Sequence, residues 1–208
     1  MTTSPGGTGP TATTARSLLP PAADRVGVLV HAVAADAASG AWDRPTPCQD
    51  WSVRELVNHL VAEHLWCPPL LAGATLAEVG DQFDGDVLGD APAAAWDDAI
   101  VASLRSWAMA REDQVVDLSF GPTPASEYAE QMLVDLVVHG WDLARGAGLD
   151  DAVDEALAEH VLAYLEPMAA GWAAAGAFAP PVPTSRTDPA GRLIALTGRD
   201  PEWSPGAR

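Results

Sequence analysis

Basic side chains are scarce in this sequence. Lysine and arginine together number 11 against 29 aspartates and glutamates, which gives the 208-residue chain a formal net charge of −18. Nucleic-acid binding and docking on anionic lipid both depend on a positive surface that meets phosphate groups. The charge balance therefore argues against a nucleic-acid partner and against an anionic membrane surface.

Cysteines and long apolar runs are scarce as well. Cys48 and Cys67 are the only cysteines, too few for the disulfide framework of a small secreted protein. The first residues, MTTSPGGTGPTATTA, have neither the basic nor the apolar segment of a secretory signal. No run approaches the roughly 18 consecutive apolar residues that predict a membrane helix. We therefore expect a cytoplasmic protein without a membrane partner.

The rest of the composition is that of a globular, helical chain. Hydrophobic residues make up 48% of the sequence, enough for one domain with a substantial core. No series of strands stands out, and VVDLSFGPTPASEY alone suggests a short extended segment and turn. We predict an all-α bundle of four or five helices over residues 17–178. We expect a disordered tail at residues 1–16 and a proline-rich C-terminal extension with a short helix at residues 179–208.

Capping residues and prolines set the boundaries of the first helices. The first helix is predicted from about Ala22 to Ala38. Ser52 and Glu55 form a capping-box pattern at the start of the second helix, and the prolines at positions 68 and 69 should end or kink it. Further helices are predicted over about residues 93–112, 123–145 and 150–166.

Glycine and proline also frame the fourth predicted helix. Thr123 followed by Pro124 is typical of a cap and a first helical residue. Gly146 and Gly148 are typical stop signals beyond its last turn. This helix contains the stretch VDLVVHGWDLARGAG, which carries most of the polar residues of interest.

Two helices place polar side chains on apolar faces. Asp135 and His139 are four residues apart on the fourth helix, so they share one face, because four residues are about one turn. His59 lies in the same kind of setting, between leucines on the second helix. A carboxylate and imidazoles on such faces cost free energy unless something satisfies them.

The spacing leaves two interpretations open. His59, Asp135 and His139 form a two-histidine, one-carboxylate set that facing helices of a bundle can hold around a metal ion. Three protein ligands leave a position for water or substrate, as in catalytic zinc sites, and nickel, iron or manganese suit the same set. Alternatively, Asp135 simply pairs with His139 or with an arginine, as many structural pairs do.

Three segments together resemble one family: TPCQDWSVRELVNHLV, VDLVVHGWDLARGAG and GRLIALTGRDPEW. They are similar to the bacterial metal-binding family related to the mycothiol-dependent maleylpyruvate isomerase N-terminal domain, within the DinB/YfiT-like superfamily. The resemblance runs from Ala22 to Trp203 and implies a DinB/YfiT-like four-helix bundle with a divalent-metal site. The metal histidine of the family falls on His59, and its acid-x-x-x-His pair falls on Asp135 and His139.

The resemblance also implies a chemistry. Superfamily members often use low-molecular-weight thiols, such as mycothiol or bacillithiol, and a metal would keep the thiol as a thiolate near neutral pH. We expect a thiol-dependent transferase or isomerase-like enzyme, with zinc as first choice and nickel, iron or manganese as alternatives. Its partners would be a small-molecule thiol and an electrophilic substrate, and the protein would be a monomer or a homodimer. The alternatives are a non-catalytic, stress-related metal-binding bundle and a metal-water hydrolase.

Two features depart from the isomerase. Its acid is a glutamate where this chain has Asp135, one methylene shorter. Its separate C-terminal domain has no counterpart in the short segment after Ala177, so maleylpyruvate is not predicted as the substrate. Asp142, three residues past His139, is expected to orient a ligand or contact a substrate, or else to pair with Arg145.

Other polar residues receive structural interpretations. Cys48, just before the helix of His59, is interpreted as a buried structural thiol in preference to a catalytic one, because nothing in its local sequence lowers its pKa. Glu63 shares the face of His59 and is a candidate neighbour of the ligands. His64 points elsewhere and is expected at a boundary or in solvent. The acidic loop at residues 81–90 lacks EF-hand spacing and is expected to be solvated.

Overall fold

Helices form nearly all of the regular structure. The computed structural model describes residues 13–48, 51–111 and 113–206. Residues 1–12 of the tail predicted at residues 1–16, and Glu112 at the predicted end of the third helix, lie outside the described residues. Ala15 and Arg16, also predicted in that tail, are helical. The elements are α1 (Ala15–Ala35), α2 (Val53–Leu71), α3 (Leu76–Val79), α4 (Pro92–Met109), β1 (Val115–Leu118), β2 (Gly121–Pro124), α5 (Ala125–Ala147), α6 (Glu155–Leu165), α7 (Ala169–Ala174) and α8 (Pro189–Leu196).

Four long helices pack around one core. Helix α1 lies against α4 and α5, and α2 lies against the same two helices from the other side. The facing positions are buried aliphatic side chains such as Val26, Leu60, Leu133 and Leu136, each contributing about 1.5–3 kcal/mol when removed from water. The prediction of an all-α bundle is therefore confirmed. Helices α6 and α8 pack on each other beside this bundle.

The first helix begins at Ala15 instead of the predicted Ala22. Thr14 caps it: the Ser17 N–H donates to Thr14 Oγ1 at 3.4 Å, and the Thr14 N–H donates to Ser17 Oγ at 3.1 Å. Serine replaces the usual glutamate or glutamine of a capping box, so the sequence pattern did not reveal this start. Helix α1 is the one described helix long and apolar enough for a membrane span, but it supplies one wall of the core.

The second helix begins as predicted. The Ser52 N–H donates to Glu55 Oε2 at 2.7 Å, and the Glu55 N–H donates back to Ser52 Oγ at 3.3 Å. This confirms the capping box. The helix continues through Pro68 to Leu71, so the prolines lie in its last turn.

The boundaries of α5 correct two predictions. Thr123 is not a helix cap, because it lies in β2, which pairs antiparallel with β1 in a short hairpin. Gly146 is not a stop signal, since α5 continues to Ala147. Gly148 ends the helix in the left-handed conformation with φ +70°, as glycine does at many helix ends. The predicted extended segment and turn at VVDLSFGPTPASEY is this hairpin.

The C-terminal segment folds back onto the helices. Its short helix, predicted at RLIALTG, is α8, capped by Asp188, whose Oδ1 accepts from the Gly191 N–H at 2.8 Å. Helix α8 packs against α6. The residues that follow it return to α5, where Arg199 contacts Asp142.

Candidate metal centre

Three side chains meet between α2 and α5. Asp135 Oδ1 lies 3.0 Å from His59 Nε2 and 3.4 Å from His139 Nε2. The two imidazole centroids are 5.0 Å apart, with the rings edge to face. One ligand atom from each of the three residues lies within 4.8 Å of the others. The structure thus brings together all three residues that the sequence analysis put forward as ligands.

Helix geometry explains part of this arrangement. Asp135 and His139 are one turn apart on α5, so helical periodicity alone brings them together. His59 comes from α2, and only the packing of α2 against α5 brings it to the pair. The side chains of His59, Asp135 and His139 are 26%, 20% and 9% exposed. The cluster therefore sits at the edge of the core, with one side open.

The donor set fits a divalent metal. Asp135 Oδ2 is buried and has no hydrogen-bond partner among the described residues, and an unpaired buried acceptor costs about 1–3 kcal/mol. Two imidazole nitrogens and a carboxylate are the ligands of catalytic zinc sites. With tetrahedral bonds of about 2.1 Å, neighbouring ligand atoms lie about 3.4 Å apart, close to the separations around Asp135 Oδ1.

The charges of the cluster favour an ionised aspartate. Burial lowers the pKa of His59, but the negative charge of Asp135, its hydrogen bond and the charge of Glu63 together raise that pKa to about 9. Burial raises the pKa of Asp135, but the charges of His59 and His139 reverse this effect and hold it well below its usual value. Asp135 is therefore a carboxylate at neutral pH, the form that binds metal, whereas a metal that binds His59 has to displace its proton.

Glu63 faces the same charges from the next turn of α2. It is partly buried. Burial raises the pKa of its carboxyl group, and the negative charge of Asp135 raises it further, while His59 and His139 oppose both effects. The charges of the cluster therefore act on Glu63, whose role as a neighbour of the ligands stays a prediction.

A cavity of about 440 Å³ opens onto His59. It is lined by Trp51, Arg54, Glu55, Asn58, His59, Gly85 and Asp86. The acidic loop at residues 81–90 forms one wall, because Arg54 donates to Asp86 Oδ2 at 2.9 Å and Asn58 Nδ2 donates to the Gly85 carbonyl at 2.8 Å. The acids of this loop are exposed, as predicted, but its backbone is tied to α2. The cavity offers a small molecule access to the cluster.

Trp51 covers both histidines. Its ring centroid lies 4.9 Å from that of His59 and 5.8 Å from that of His139. In the sequence, Trp51 stands within the TPCQDWSVRELVNHLV motif, and no role was predicted for it. Its position just ahead of the capping residue of α2 was the available signal, since that position places the indole beside the first turns of the helix.

Asp142 holds the far side of His139. Its Oδ2 lies 2.9 Å from His139 Nδ1 and accepts from Arg199 Nη2 at 2.9 Å. The predicted pair with Arg145 does not form, because the Arg145 guanidinium lies 2.7 Å from Asp151 instead. Asp142 therefore contacts a candidate ligand, and its expected role in orienting that ligand stays a prediction. Arg199 was missed, although it lies within the quoted GRLIALTGRDPEW segment.

A second set of donor atoms overlaps the first. Cys48, His139 and Asp142 also have ligand atoms within 4.8 Å of one another. Burial, followed by the charge of Asp142, raises the pKa of Cys48 to about 11, so its thiol is protonated at neutral pH. A cation here would also have to displace Arg199 from Asp142. The set containing His59 and Asp135 is therefore the better metal site, and the interpretation of Cys48 as a structural thiol stays a prediction.

His64 corrects one prediction. It is buried instead of lying at a boundary, and its Nδ1 is 2.9 Å from Ser103 Oγ on α4. Burial lowers its pKa to about 4. The packing of α4 over this face of α2 buries a position that points away from His59.

A known protein family matches the part of the chain that contains the candidate ligands. The sequence profile of the mycothiol maleylpyruvate isomerase N-terminal domain matches residues 19–144, which include the three candidate ligands. Two uncharacterized Mycobacterium tuberculosis proteins, MT0763 (strain CDC 1551 / Oshkosh) and Rv0738 (strain ATCC 25618 / H37Rv), are each 29% identical over 186 residues. The alignments cover 86% of this chain and 93% of each relative. No solved structure matches the chain.

Proposed function

The chain belongs to the mycothiol maleylpyruvate isomerase N-terminal domain family, and from this we propose that it is a metal-dependent enzyme that uses a low-molecular-weight thiol. Its reaction would be thiol transfer to, or thiol-assisted isomerisation of, a small electrophilic substrate. The observation that carries the proposal is the convergence of His59, His139 and Asp135, with the second oxygen of Asp135 buried and unpaired among the residues that the structure describes. Zinc is the proposed metal, because two imidazoles and a carboxylate suit it.

Different residues of the chain would bind the metal and the substrate. His59, Asp135 and His139 would hold the cation, which stabilises a thiolate near neutral pH when it is bound. Trp51 and the wall at Asp86 would enclose the electrophile next to His59, in the cavity of about 440 Å³.

The proposed isomerase and transferase reactions begin with the same step. The thiolate sulfur forms a bond to an electrophilic carbon, and the electron pair of the attacked double bond or leaving group moves away from that carbon. In an isomerase, rotation follows and the carbon–sulfur bond breaks again, which returns the thiolate. In a transferase, the carbon–sulfur bond remains: after addition, the carbanion takes up the proton that the thiol released, and after substitution, the leaving group departs with its electron pair. We place this chemistry in the cytoplasm, where thiols stay reduced.

Metal content tests the first half of the proposal. The full chain, purified without a polyhistidine tag, should contain about one divalent metal ion by elemental mass spectrometry, and the His59→Ala/His139→Ala double variant should contain little. His31→Ala/His160→Ala is the matched control, because those histidines pair with Asp97 and Glu130 away from the cluster. No bound metal in wild type after zinc, nickel and manganese have been supplied would contradict the proposal.

Thiol-dependent turnover tests the second half. The metal-loaded protein should consume an electrophile only when a low-molecular-weight thiol is present, and His139→Ala should abolish turnover while the circular dichroism of the bundle persists. If chelation lowers the melting temperature but no thiol supports turnover, the metal is structural and the enzyme proposal is wrong.

A further inference from the structure

One side chain of the C-terminal segment, residues 179–206, reaches the metal centre. Arg199 Nη2 donates to Asp142 Oδ2 at 2.9 Å, and Arg199 Nε donates to the same carboxylate at 3.2 and 3.3 Å. Asp142 is fully buried, and Arg199 is only 8% exposed. A buried guanidinium and carboxylate in this two-pronged contact hold each other in one orientation.

The same carboxylate holds a candidate metal ligand. Asp142 Oδ2 lies 2.9 Å from Nδ1 of His139. A carboxylate ion-paired with arginine has only acceptors to offer, so Nδ1 of His139 carries the hydrogen and donates it. The lone pair of His139 is then on Nε2, which is the nitrogen that faces Asp135 Oδ1 at 3.4 Å. A continuous line of contacts therefore runs from Arg199 through Asp142 to the metal-facing atom of His139.

Contacts of the surrounding residues position Arg199 beside Asp142. Its Nη1 donates to the carbonyl of Thr197 at 2.9 Å, and its guanidinium lies 5.6 Å from the ring centroid of Phe178. Gly198 adopts φ +79°, and a Cβ on it would lie 2.6 Å from both Cβ and the carbonyl oxygen of Ala179. Glycine is therefore required beside Arg199, both for the backbone conformation and for the close approach. These contacts and the close approach at Gly198 hold the Arg199 guanidinium beside Asp142.

We propose that Arg199 is a positioning residue of the metal centre. Acting through Asp142, it fixes the orientation and tautomer of His139, so the C-terminal segment completes a centre whose ligands all lie within residues 19–144, the part matched by the family profile. The proposal rests on the proposed function, because it needs a metal at His139. A carboxylate behind a metal-binding histidine typically changes metal affinity 10–100-fold, and here that carboxylate depends on Arg199.

A purely structural ion pair makes a different prediction. Such a pair would anchor α8 and the residues around it to α5, and its loss would lower stability without changing how tightly or in what geometry the metal is held. Metal affinity and ligand-field spectrum therefore separate the two roles, whereas the melting temperature does not.

The experiment compares metal binding by the full-length wild type, Arg199→Gln, Asp142→Asn and the double variant. Zinc affinity is measured by competition with a chromophoric chelator, and coordination geometry by the visible absorption of the cobalt-loaded protein. Arg199→Gln should weaken zinc binding about 10–100-fold and shift the cobalt bands. In the Asp142→Asn variant, the further substitution Arg199→Gln should weaken zinc binding little more, because Arg199 acts through Asp142.

Arg192→Gln is the matched control. It removes the same charge from the same segment, but Arg192 pairs with Glu166 at a half-exposed position away from the centre. It should leave the zinc affinity and the cobalt spectrum at wild-type values. A long-range proton–nitrogen NMR spectrum of the zinc-loaded wild type should show the hydrogen of His139 on Nδ1.

The outcomes separate this inference from the proposed function. A wild type that binds no zinc overturns the proposed function and this inference with it. A wild type that binds zinc, with a folded Arg199→Gln variant of unchanged affinity and cobalt spectrum, overturns the inference alone. If Arg199→Gln does not fold, Arg199→Lys serves instead: it keeps the charge but loses the planar fork. Weaker zinc binding and shifted cobalt bands in Arg199→Lys support the positioning role of Arg199. Wild-type zinc affinity and a wild-type cobalt spectrum overturn it.

Discussion

Asp135 Oδ1 on α5 lies 3.0 Å from His59 Nε2 on α2, and this contact joins the two helices that carry the proposed ligands. An equal distance of 3.0 Å separates His31 and Asp97 on the surface, where both side chains are more than half exposed. The distance alone therefore does not distinguish a metal centre. The first pair differs because a second histidine reaches the same oxygen, and the other carboxylate oxygen is buried without a partner in the described part of the chain.

Asp135→Asn should remove the stabilisation that zinc gives the folded protein. At a free zinc concentration of about 100 times Kd, linkage raises the free energy of unfolding of wild type by about 2.7 kcal/mol. An amide lacks the carboxylate charge, so the variant should gain little at the same zinc concentration. Asp97→Asn, which alters the surface pair, should keep the full gain. Urea unfolding with and without zinc measures these differences, and equal gains in all three proteins would contradict the assignment of Asp135.

His64 should make the folded protein less stable at acid pH. Burial lowers the pKa of His64 to about 4 in the folded state, while the charge of Asp135 raises it and that of His59 lowers it; the unfolded value is about 6.5. Below that pH the unfolded chain binds a proton that the folded chain does not. Stability from this residue is therefore complete above pH 6.5 and falls as the pH drops toward 4, by about 2 kcal/mol at pH 5.

The matched variant for this effect is His64→Asn. Asparagine keeps a polar atom near Ser103 but does not titrate. Urea unfolding at pH 7.5 and pH 5 should show a smaller loss in the variant than in wild type, by about 2 kcal/mol. Other groups titrate in both proteins and cancel in the comparison. Equal losses of stability in the two proteins would mean that the pKa of His64 is not lowered in the folded state.

Gly146→Ala should destabilise the protein although alanine is the better helix former. A Cβ at Gly146 would lie 2.9 Å from the carbonyl oxygen of Pro45 and from a methyl group of Thr46. Overpacking of this kind typically costs about 1–3 kcal/mol. Gly171→Ala, in α7, meets nothing within 4 Å and should stabilise by up to about 1 kcal/mol through helix propensity. Denaturant midpoints compare the two, and a stabilised Gly146→Ala would refute the close approach.

Trp51 should report metal binding by its fluorescence. Of the described tryptophans, it is the one whose ring pairs with His59 and His139, at 4.9 and 5.8 Å. A paramagnetic ion such as Co²⁺ held by those histidines should quench its emission. Trp51→Phe should remove most of the cobalt-dependent quenching, whereas Trp66→Phe, whose ring pairs with Phe83, should retain it. Unchanged quenching in Trp51→Phe would place the ion elsewhere.

Some features of the structure could be predicted from the sequence, because they depend on residues that are close together in the chain. Ser52 and Glu55 predicted the start of α2, because a capping box depends only on residues three apart. Asp135 and His139 predicted a shared face, because helical periodicity is local. His59 was joined to them through the family resemblance and the general geometry of bundles, and the structure brings it to Asp135.

Other features depended on contacts between distant segments. His64 was expected near solvent, yet α4 covers it, since the burial of a helical position is decided by what packs against it. Gly146 has the sequence character of a stop signal, but the loop that contains Pro45 passes too close for a side chain there. Thr123 looked like a cap, but it pairs in a hairpin instead.

The sequence by itself therefore determined an acidic, helical chain and two of the three proposed ligands as a one-turn pair, since charge and helical period need no folded context. The tertiary structure decided the rest of the centre. His59 and Asp135 are 76 positions apart, and Asp142 and Arg199 are 57 apart. No local pattern encodes such pairings, because the packing of whole helices and of the C-terminal segment positions these side chains.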